Sequence, residues 1–203
     1  LLAGQQAQCA SKEPGGPVAG ARLARGHEVH KGRFHGPVRL RTALASSYNV
    51  PAVRLAHQLG VEPLLERLRL AGLTSLDRPA QHYGLSLTLG SGEETLLQFC
   101  NAYRALARGG RYSSVRWWPS AEEVPEVEIF SPRVAFLLTD ILSDPAARAP
   151  AFGHDSVLSL PFPCAVKTGT SQAYHDNWTI GYSRHATVGV WVGNFDRRPL
   201  RNS

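Results

Sequence analysis

The spacing of apolar residues changes once along this chain, near Asp144, and this change limits the folds that the chain can adopt. Before Asp144, apolar residues recur at the three- and four-residue spacing of helices that bury one face. After it, three segments are typical of strands: Ala165–Thr170, Trp178–Tyr182 and Ala186–Val192. Ser183-Arg184-His185 is short enough for a tight turn between the last two. Helices followed by an antiparallel meander predict an α+β fold.

Start and stop signals divide the helical part into separate elements. Proline at a first helical position and glycine after a last one mark most of the boundaries. Ser91-Gly92-Glu93-Glu94 has the pattern of a capping box, in which a hydroxyl and a carboxylate satisfy each other's backbone donors. The predicted helices run from Pro37 to Ser46, Pro51 to Gly60, Pro63 to Ala71, Ser91 to Gly109 and Ser131 to Ile141, with a strand from Arg111 to Trp118.

The charge of the chain is basic but dispersed. The net charge is +6 with a pI near 9.6, and lysine occurs only at Lys12, Lys31 and Lys167. No run of five or six basic residues appears, so we expect an ordinary solvated basic surface and no nucleic-acid partner. The cysteines, Cys9, Cys100 and Cys164, are odd in number and far apart. They predict buried small residues rather than disulfides or a zinc site.

The first part of the chain has no sustained periodicity, and residues 1–31 are left unassigned. His27 and His30 lack a third ligand nearby, so we expect no metal, and nothing in the sequence indicates a cofactor. No apolar run reaches the roughly 18 residues that a membrane span needs, and no signal peptide is visible. The chain opens with Leu1 and contains no methionine, so we expect it to be an excerpt of a longer protein.

Two short motifs carry the chemistry. Ser47-Tyr48-Asn49 lies at a break between two predicted helices, where a hydroxyl able to relay a proton and an amide able to hold a peptide can point into one cleft. Asparagine before a helix is also a common cap. Lys167-Thr168-Gly169-Thr170-Ser171 lies on a predicted strand, where glycine permits another backbone to approach closely. Its hydroxyls can bind a carboxylate, and the lysine supplies positive charge.

Together these motifs resemble Ser-x-Asn and Lys-Thr-Gly, two of the three motifs of penicillin-binding proteins and serine β-lactamases. The sequence around Ser47, from Ala43 to Val53, is similar to class A penicillin-binding proteins. The stretches Ser131–Gly153 and Asp176–Asn194 resemble the 1C type in particular, and the similarity runs from Gly32 to Asn194. The resemblance implies that residues 32–203 form a partial transpeptidase domain. Its fold would be the helical subdomain and antiparallel sheet of that family, incomplete here.

The resemblance also implies an activity and roles for individual residues. Such enzymes cross-link peptidoglycan by serine acyl transfer on the D-Ala-D-Ala end of a stem peptide, and β-lactams mimic that end. By this resemblance Ser47 and Lys167 are catalytic groups that move a proton to the leaving amine. Asn49, Thr168, Gly169, Thr170 and Ser171 are substrate-binding residues. The backbone N–H of Thr170 would be one oxyanion donor.

One departure from the family pattern bears on the mechanism. A Ser-x-x-Lys nucleophile motif needs a serine three residues before a lysine, and the residues at those places are Cys9, Glu28 and Cys164. We therefore expect this chain alone to be inactive, as a fragment truncated at both ends. The resemblance places the full protein in the bacterial periplasm, at the outer face of the inner membrane, with a glycosyltransferase domain and an N-terminal membrane anchor upstream.

Two other readings remain open from the sequence. A non-catalytic binding module would keep Asn49 and the Lys-Thr-Gly strand for stem peptides or partner proteins, without any nucleophile. A serine β-lactamase would carry Ser-Asp-Asn and a separate glutamate that activates water, whereas the middle residue here is Tyr48.

Overall fold

The structure is a computed structural model that describes residues 36–119, 122–171, 175–196 and 198–200, together with two short strands, β1 (Val29–His30) and β2 (Arg33–Phe34). These two strands pair antiparallel. His27 and Cys9, considered above for metal binding and burial, lie outside the described residues.

The first helical block contains the four predicted helices in their predicted order, together with two short helical elements between the third and the fourth that were not predicted. It comprises α1 (Leu40–Ala45), α2 (Asn49–Leu59), α3 (Val61–Leu70), α4 (Ala80–Tyr83), a 3-10 helix over Gly84–Leu89, and α5 (Leu96–Ala107). The predicted stop at Gly60 is confirmed, since this glycine ends α2 with φ at 84°. Helix α2 begins two residues before Pro51, at Asn49. As a result, the asparagine of the Ser-x-Asn motif lies in the first turn of the helix and is buried.

The predicted capping box at Ser91–Glu94 is wrong. The box lies four residues later, where the Thr95 side chain accepts from the Gln98 backbone N–H and the Gln98 side chain accepts from the Thr95 N–H. The reason is that the apolar stripe of α5 begins only at Leu96. The Glu94 carboxylate instead accepts a hydrogen bond from the Ser75 N–H at 3.0 Å.

Beyond α5 the chain forms a small ribbon and two more helices. The predicted strand from Arg111 to Trp118 is wrong in length: β3 covers only Arg111–Tyr112, which pairs with β4 (Val127–Glu128). Helix α6 (Pro132–Leu142) is capped by Ser131, as predicted. Helix α7 (Pro145–Phe152) was not predicted, although the Asp144 side chain caps it. The part of the chain that the structure describes contains no helix long and apolar enough to cross a membrane.

The last part of the chain is the predicted antiparallel meander. Strands β5 (Ala165–Thr170), β6 (Asp176–Tyr182) and β7 (Thr187–Gly193) lie in the order β5-β6-β7. In this register Lys167 lies opposite Ile180, and Gly169 lies opposite Trp178. Ile180 is fully buried and belongs to the largest core cluster, which also contains Phe99 of α5 and Leu65 of α3. The face of β5 that carries Lys167 therefore points towards the helices.

The cysteines depart from the expectation of full burial. Cys100 and Cys164 are free thiols of intermediate exposure. Partial burial still raises the pKa of both thiols, because it disfavours the thiolate. Neither thiol is therefore activated for chemistry near neutral pH.

Candidate functional site

The turn between α1 and α2 presents Ser47 in an unusual backbone conformation. Ser47 has φ at 60° and is the only non-glycine residue with positive φ among those the structure describes. Its N–H donates to the Leu44 carbonyl, and the Tyr48 N–H donates to the Ala43 carbonyl at 2.8 Å. This pair of bonds is the Schellman motif, in which the left-handed position is usually glycine. A serine held there is a strained residue of the kind found at functional sites.

The neighbouring serine anchors this turn. Ser46 is buried, and its hydroxyl donates to the Ala147 carbonyl of α7 at 2.9 Å. Arg41 of α1 forms ion pairs with Asp140 and, at 3.1 Å, with Asp144. The α1–α2 turn is thus fixed against α6 and α7, with the side chain of Ser47 left to face the sheet.

Lys167 of β5 reaches that serine. Its Nζ donates to Ser47 Oγ and to the Thr168 carbonyl, both at 2.6 Å. The lysine is only 5% exposed. Burial disfavours the ammonium form and lowers the pKa of Lys167 to about 8. A pKa of about 8 leaves roughly a tenth of the amine neutral at pH 7, so the group can both accept and donate a proton there.

The rest of the Lys-Thr-Gly motif lies along the same strand. Thr168 and Thr170 are half-buried and Gly169 is buried. Ser171 follows the strand, and its hydroxyl accepts from the Asp176 N–H at 2.7 Å. The Ser171 N–H donates in turn to the Asp176 carbonyl. Ser171 therefore closes the ends of β5 and β6 together.

A cleft of about 820 Å³ opens beside the end of this motif, and we call it the motif cleft. Thr170 and Ser171 line it, whereas Ser47 and Lys167 do not. Sequence reasoning missed its other walls, which include Glu94, His175, Asp176, Trp178, Trp191 and Phe195. Two of these walls could have been found from the sequence, because Trp178 and Trp191 lie on predicted strands that a tight turn joins. In the structure these two residues are directly paired.

A hydrogen bond fixes one wall of the motif cleft. Trp191 Nε1 donates to Asp176 Oδ1 at 2.8 Å, next to the two hydrogen bonds that the Asp176 backbone makes with Ser171. Among the described residues, no three His, Cys, Asp or Glu side chains lie close enough to hold a metal ion. The chemistry that these side chains can perform is proton transfer through Ser47 and Lys167 beside a strand able to bind a peptide.

The chain is similar to proteins of one known family. The family model of the penicillin-binding protein transpeptidase domain matches residues 4–198. Penicillin-binding protein 1C of Escherichia coli is 34% identical over 167 residues, covering 82% of this chain and 21% of the relative. Penicillin-binding protein 1A of Aquifex aeolicus is 34% identical over 174 residues, covering 78% and 22%. The chain thus spans about a fifth of the length of these relatives.

Solved structures share the fold. The penicillin-binding protein PonA1 of Mycobacterium tuberculosis has a TM-score of 0.68 at 22% identity, covering 84% of this chain and 50% of that one. The imipenem acyl-enzyme complex of penicillin-binding protein A from the same organism has a TM-score of 0.62 at 22% identity, covering 79% and 43%.

Proposed function

Because this chain belongs to the penicillin-binding protein transpeptidase family, we propose that it supplies the proton-relay and substrate-binding side of a D,D-transpeptidase centre. The substrate is a peptidoglycan stem peptide that ends in D-Ala-D-Ala, and β-lactams are its mimics. The observation that carries this proposal is the 2.6 Å contact between Lys167 Nζ and Ser47 Oγ. It joins the Ser-x-Asn and Lys-Thr-Gly motifs into one site.

In this proposal acylation proceeds through a serine outside this chain. As its oxygen attacks the carbonyl of the penultimate D-Ala, its proton passes to a base that also lies outside this chain. The peptide C–N bond breaks, and the departing amine takes a proton from Ser47. Lys167 replaces that proton. An amine on a second stem peptide then attacks the acyl-enzyme, the ester bond breaks, and the proton that the amine loses goes to the serine oxygen. The base outside this chain returns its proton to Lys167, which restores the starting state.

Substrate binding falls to the remaining motif residues. Asn49 holds the stem-peptide amide, and the hydroxyls of Thr168 and Thr170 bind the terminal carboxylate. Gly169 allows the peptide backbone to lie against β5, and Ser171 keeps the end of the strand in place beside it. The Thr170 N–H serves as one donor to the oxyanion.

Binding and acylation can be tested separately on the 203-residue chain. We expect its intact mass to be unchanged after incubation with a penicillin, because no Ser-x-x-Lys occurs in the sequence. An adduct mapped to Ser46, Ser47 or Ser171 would contradict these roles. We expect reversible binding of a diacylated Lys-D-Ala-D-Ala peptide, detected by NMR, to be lost in Thr170→Val. Thr187→Val, an equal change on β7 outside both motifs, should leave binding intact.

The missing nucleophile motif also supports a second candidate, a non-catalytic module that binds stem peptides or partner proteins. The coding sequence upstream separates the two. An in-frame Ser-x-x-Lys supports the transpeptidase, and its absence supports the binding module. Under either function, we place the full protein at the outer face of the bacterial inner membrane, held by an anchor outside this chain.

A further inference from the structure

A second cleft, which we call the arginine cleft, lies between α5, the segment after β3 and the turn between β6 and β7. It encloses about 640 Å³ and shares no lining residue with the motif cleft. Its described lining contains four arginines, namely Arg104, Arg108, Arg116 and Arg184, and no carboxylate. Four of the nineteen arginines of the sequence therefore come together at this place in the fold.

Two of these arginines are held in fixed positions by Ser113. Arg104 donates to the Ser113 carbonyl at 2.6 Å and to its hydroxyl at 2.9 Å, and also to Asn101 Oδ1 at 2.8 Å. Arg108 donates to the same Ser113 hydroxyl at 3.1 Å. Asn101 and Ser113 are both buried. The two guanidinium groups thus form a preorganised cationic wall that needs little further ordering when a ligand binds.

The positive charge of this wall is only partly neutralised. Burial disfavours the charged guanidinium of Arg104, and the neighbouring positive charge of Arg108 disfavours it further. Both effects lower the pKa of Arg104. Glu126 pairs with Arg108 and, at 3.5 Å, with Arg111. One carboxylate thus serves two arginines, and Arg104 makes its hydrogen bonds to neutral acceptors only. A bound anion would stabilise this group of cations.

The mouth of the cleft adds two indole rings and two further arginines. Trp117 and Trp118 are 68% and 72% exposed. Exposed indole rings present large apolar faces at the cleft, against which the apolar C–H face of a ring-shaped ligand can pack. Arg116 and Arg184 are exposed beside them, and neither forms an ion pair within the described part of the chain.

We propose that the arginine cleft binds a glycan strand that carries free carboxylates, with sugar rings on the indoles and carboxylates on the guanidinium groups. Arginine forms paired hydrogen bonds to a carboxylate, and Trp117 and Trp118 supply the stacking surface. The choice of a sugar polymer rests on the proposed function, which brings the chain against peptidoglycan. Glycan strands stripped of their stem peptides fit this description, because their lactyl groups end in free carboxylates.

The test is a titration of the 203-residue chain with such stripped glycan strands, followed by tryptophan fluorescence at low and at high salt. The strands lack D-Ala-D-Ala, so they are not ligands for the proposed stem-peptide site. Because Trp178 and Trp191 line the motif cleft, the arginine variants and not the fluorescence change alone assign binding to the arginine cleft. We expect Arg116→Ala and Arg184→Ala each to weaken binding about tenfold, the effect of losing one charge-assisted hydrogen bond. Arg133→Ala, which removes an exposed arginine of α6 outside the cleft, should change binding less than about twofold.

Two further ligands test whether the affinity comes from the carboxylates, from the sugar rings or from negative charge alone. A neutral oligomer of N-acetylglucosamine should bind at least about tenfold more weakly than the stripped strands, because it offers no carboxylate. Equal binding of a single-stranded DNA oligonucleotide would overturn the proposal in favour of a general polyanion site. No binding of the stripped strands, or equal losses in Arg133→Ala and Arg184→Ala, would also overturn it. None of these results bears on the stem-peptide test above.

Discussion

Lys167 Nζ lies 2.6 Å from Ser47 Oγ across 120 positions of the sequence. The conformation of Ser47 and the burial of Lys167 that this contact requires both lower the stability of the folded chain. Ser47 adopts the left-handed backbone conformation, which is unfavourable by about 1–2 kcal/mol for a residue with a Cβ. Lys167 loses its water, which disfavours its charge. Two such costs that meet at one hydrogen bond are typical of a site selected for chemistry rather than for stability.

The first prediction concerns the pH dependence of stability. The pKa of Lys167 is lowered from 10.5 to about 8 in the folded chain. Between these values the unfolded chain binds more protons, so the free energy of unfolding should rise with pH from about 8 upwards. Below pH 8 both states carry the ammonium, and the cost of burying it is fully present. Urea denaturation at a series of pH values measures this rise, which should not exceed about 3 kcal/mol.

Lys167→Met is the control for that rise. The variant keeps the length of the side chain and removes the titrating group, so its stability should not increase between pH 8 and 9. Above that range other groups lower the stability as pH rises, because burial raises their pKa values in the folded chain and the unfolded chain loses its protons first. These groups are Cys100, Cys164, Tyr103 and Tyr182. An equal rise in wild type and Lys167→Met would contradict the assignment of the slope to Lys167.

The second prediction concerns the backbone at Ser47. Glycine adopts positive φ without strain, so Ser47→Gly should be more stable than Ser47→Ala by about 1 kcal/mol, although both lose the hydrogen bond to Lys167. Thermal unfolding of the two variants isolates the backbone contribution. The same pair at Ser46, where φ is −85°, should show the opposite order. If Ser46 and Ser47 showed the same order, the strain at Ser47 would not be real.

The third prediction uses two adjacent glycines after α5. Both have positive φ, but a Cβ on Gly110 would lie 2.0 Å from the Phe130 carbonyl oxygen, whereas a Cβ on Gly109 meets nothing within 4 Å. Gly109→Ala should therefore cost only the backbone strain, about 1 kcal/mol. Gly110→Ala should cost about 3 kcal/mol or more, because the β3–β4 ribbon must move to relieve the overlap. Equal losses in chemical denaturation would count against this close approach.

The fourth prediction concerns Arg148, which is only 3% exposed. Its guanidinium donates to the Leu142 carbonyl at 2.5 Å and to the Leu158 carbonyl at 3.2 Å, which ties the segment before β5 to the end of α6. Arg148→Met leaves these carbonyls without their donor and should destabilise the chain by about 2–3 kcal/mol. The loss of amide protection should concentrate in residues 153–164. Arg133→Met, on the exposed surface of α6, should change stability by less than about 0.5 kcal/mol.

The sequence predicted helices α1, α2, α3, α5 and α6 and the antiparallel meander, because helical and strand periodicities are local properties. It did not predict α4, the 3-10 helix, β4 or α7. The predictions were wrong at two places: the start of α5, where two capping patterns lie next to each other, and the length of β3. Ser91–Glu94 and Thr95–Gln98 both have capping-box patterns, and the position of the apolar stripe of α5 decides between them. Strand β3 ends at Tyr112 because its partner, β4, contains only Val127–Glu128. The length of a partner strand distant in sequence cannot be predicted from a local pattern.

The candidate site was also predicted only in part from the sequence. The motifs of Ser47 and Lys167 could be read from the sequence, and the structure brings these two side chains into contact. The positive φ of Ser47 could not be predicted, since the Schellman position normally carries glycine. The arginine cleft was also missed. Arg104, Arg116 and Arg184 lie on three separate elements, so their charges look dispersed until the chain folds.

The separation of Ser47 and Lys167 has a kinetic consequence. Helices α1 and α2, with the turn between them, consist of contacts close in sequence, which form early and quickly. The contact with Lys167 closes a loop of more than a hundred residues and requires β5 to pair with β6 and to pack against α6, which is slow. In refolding, far-ultraviolet dichroism should therefore recover before the Ser47–Lys167 contact does. We therefore expect partly folded chains to contain both motifs before the proposed relay is assembled.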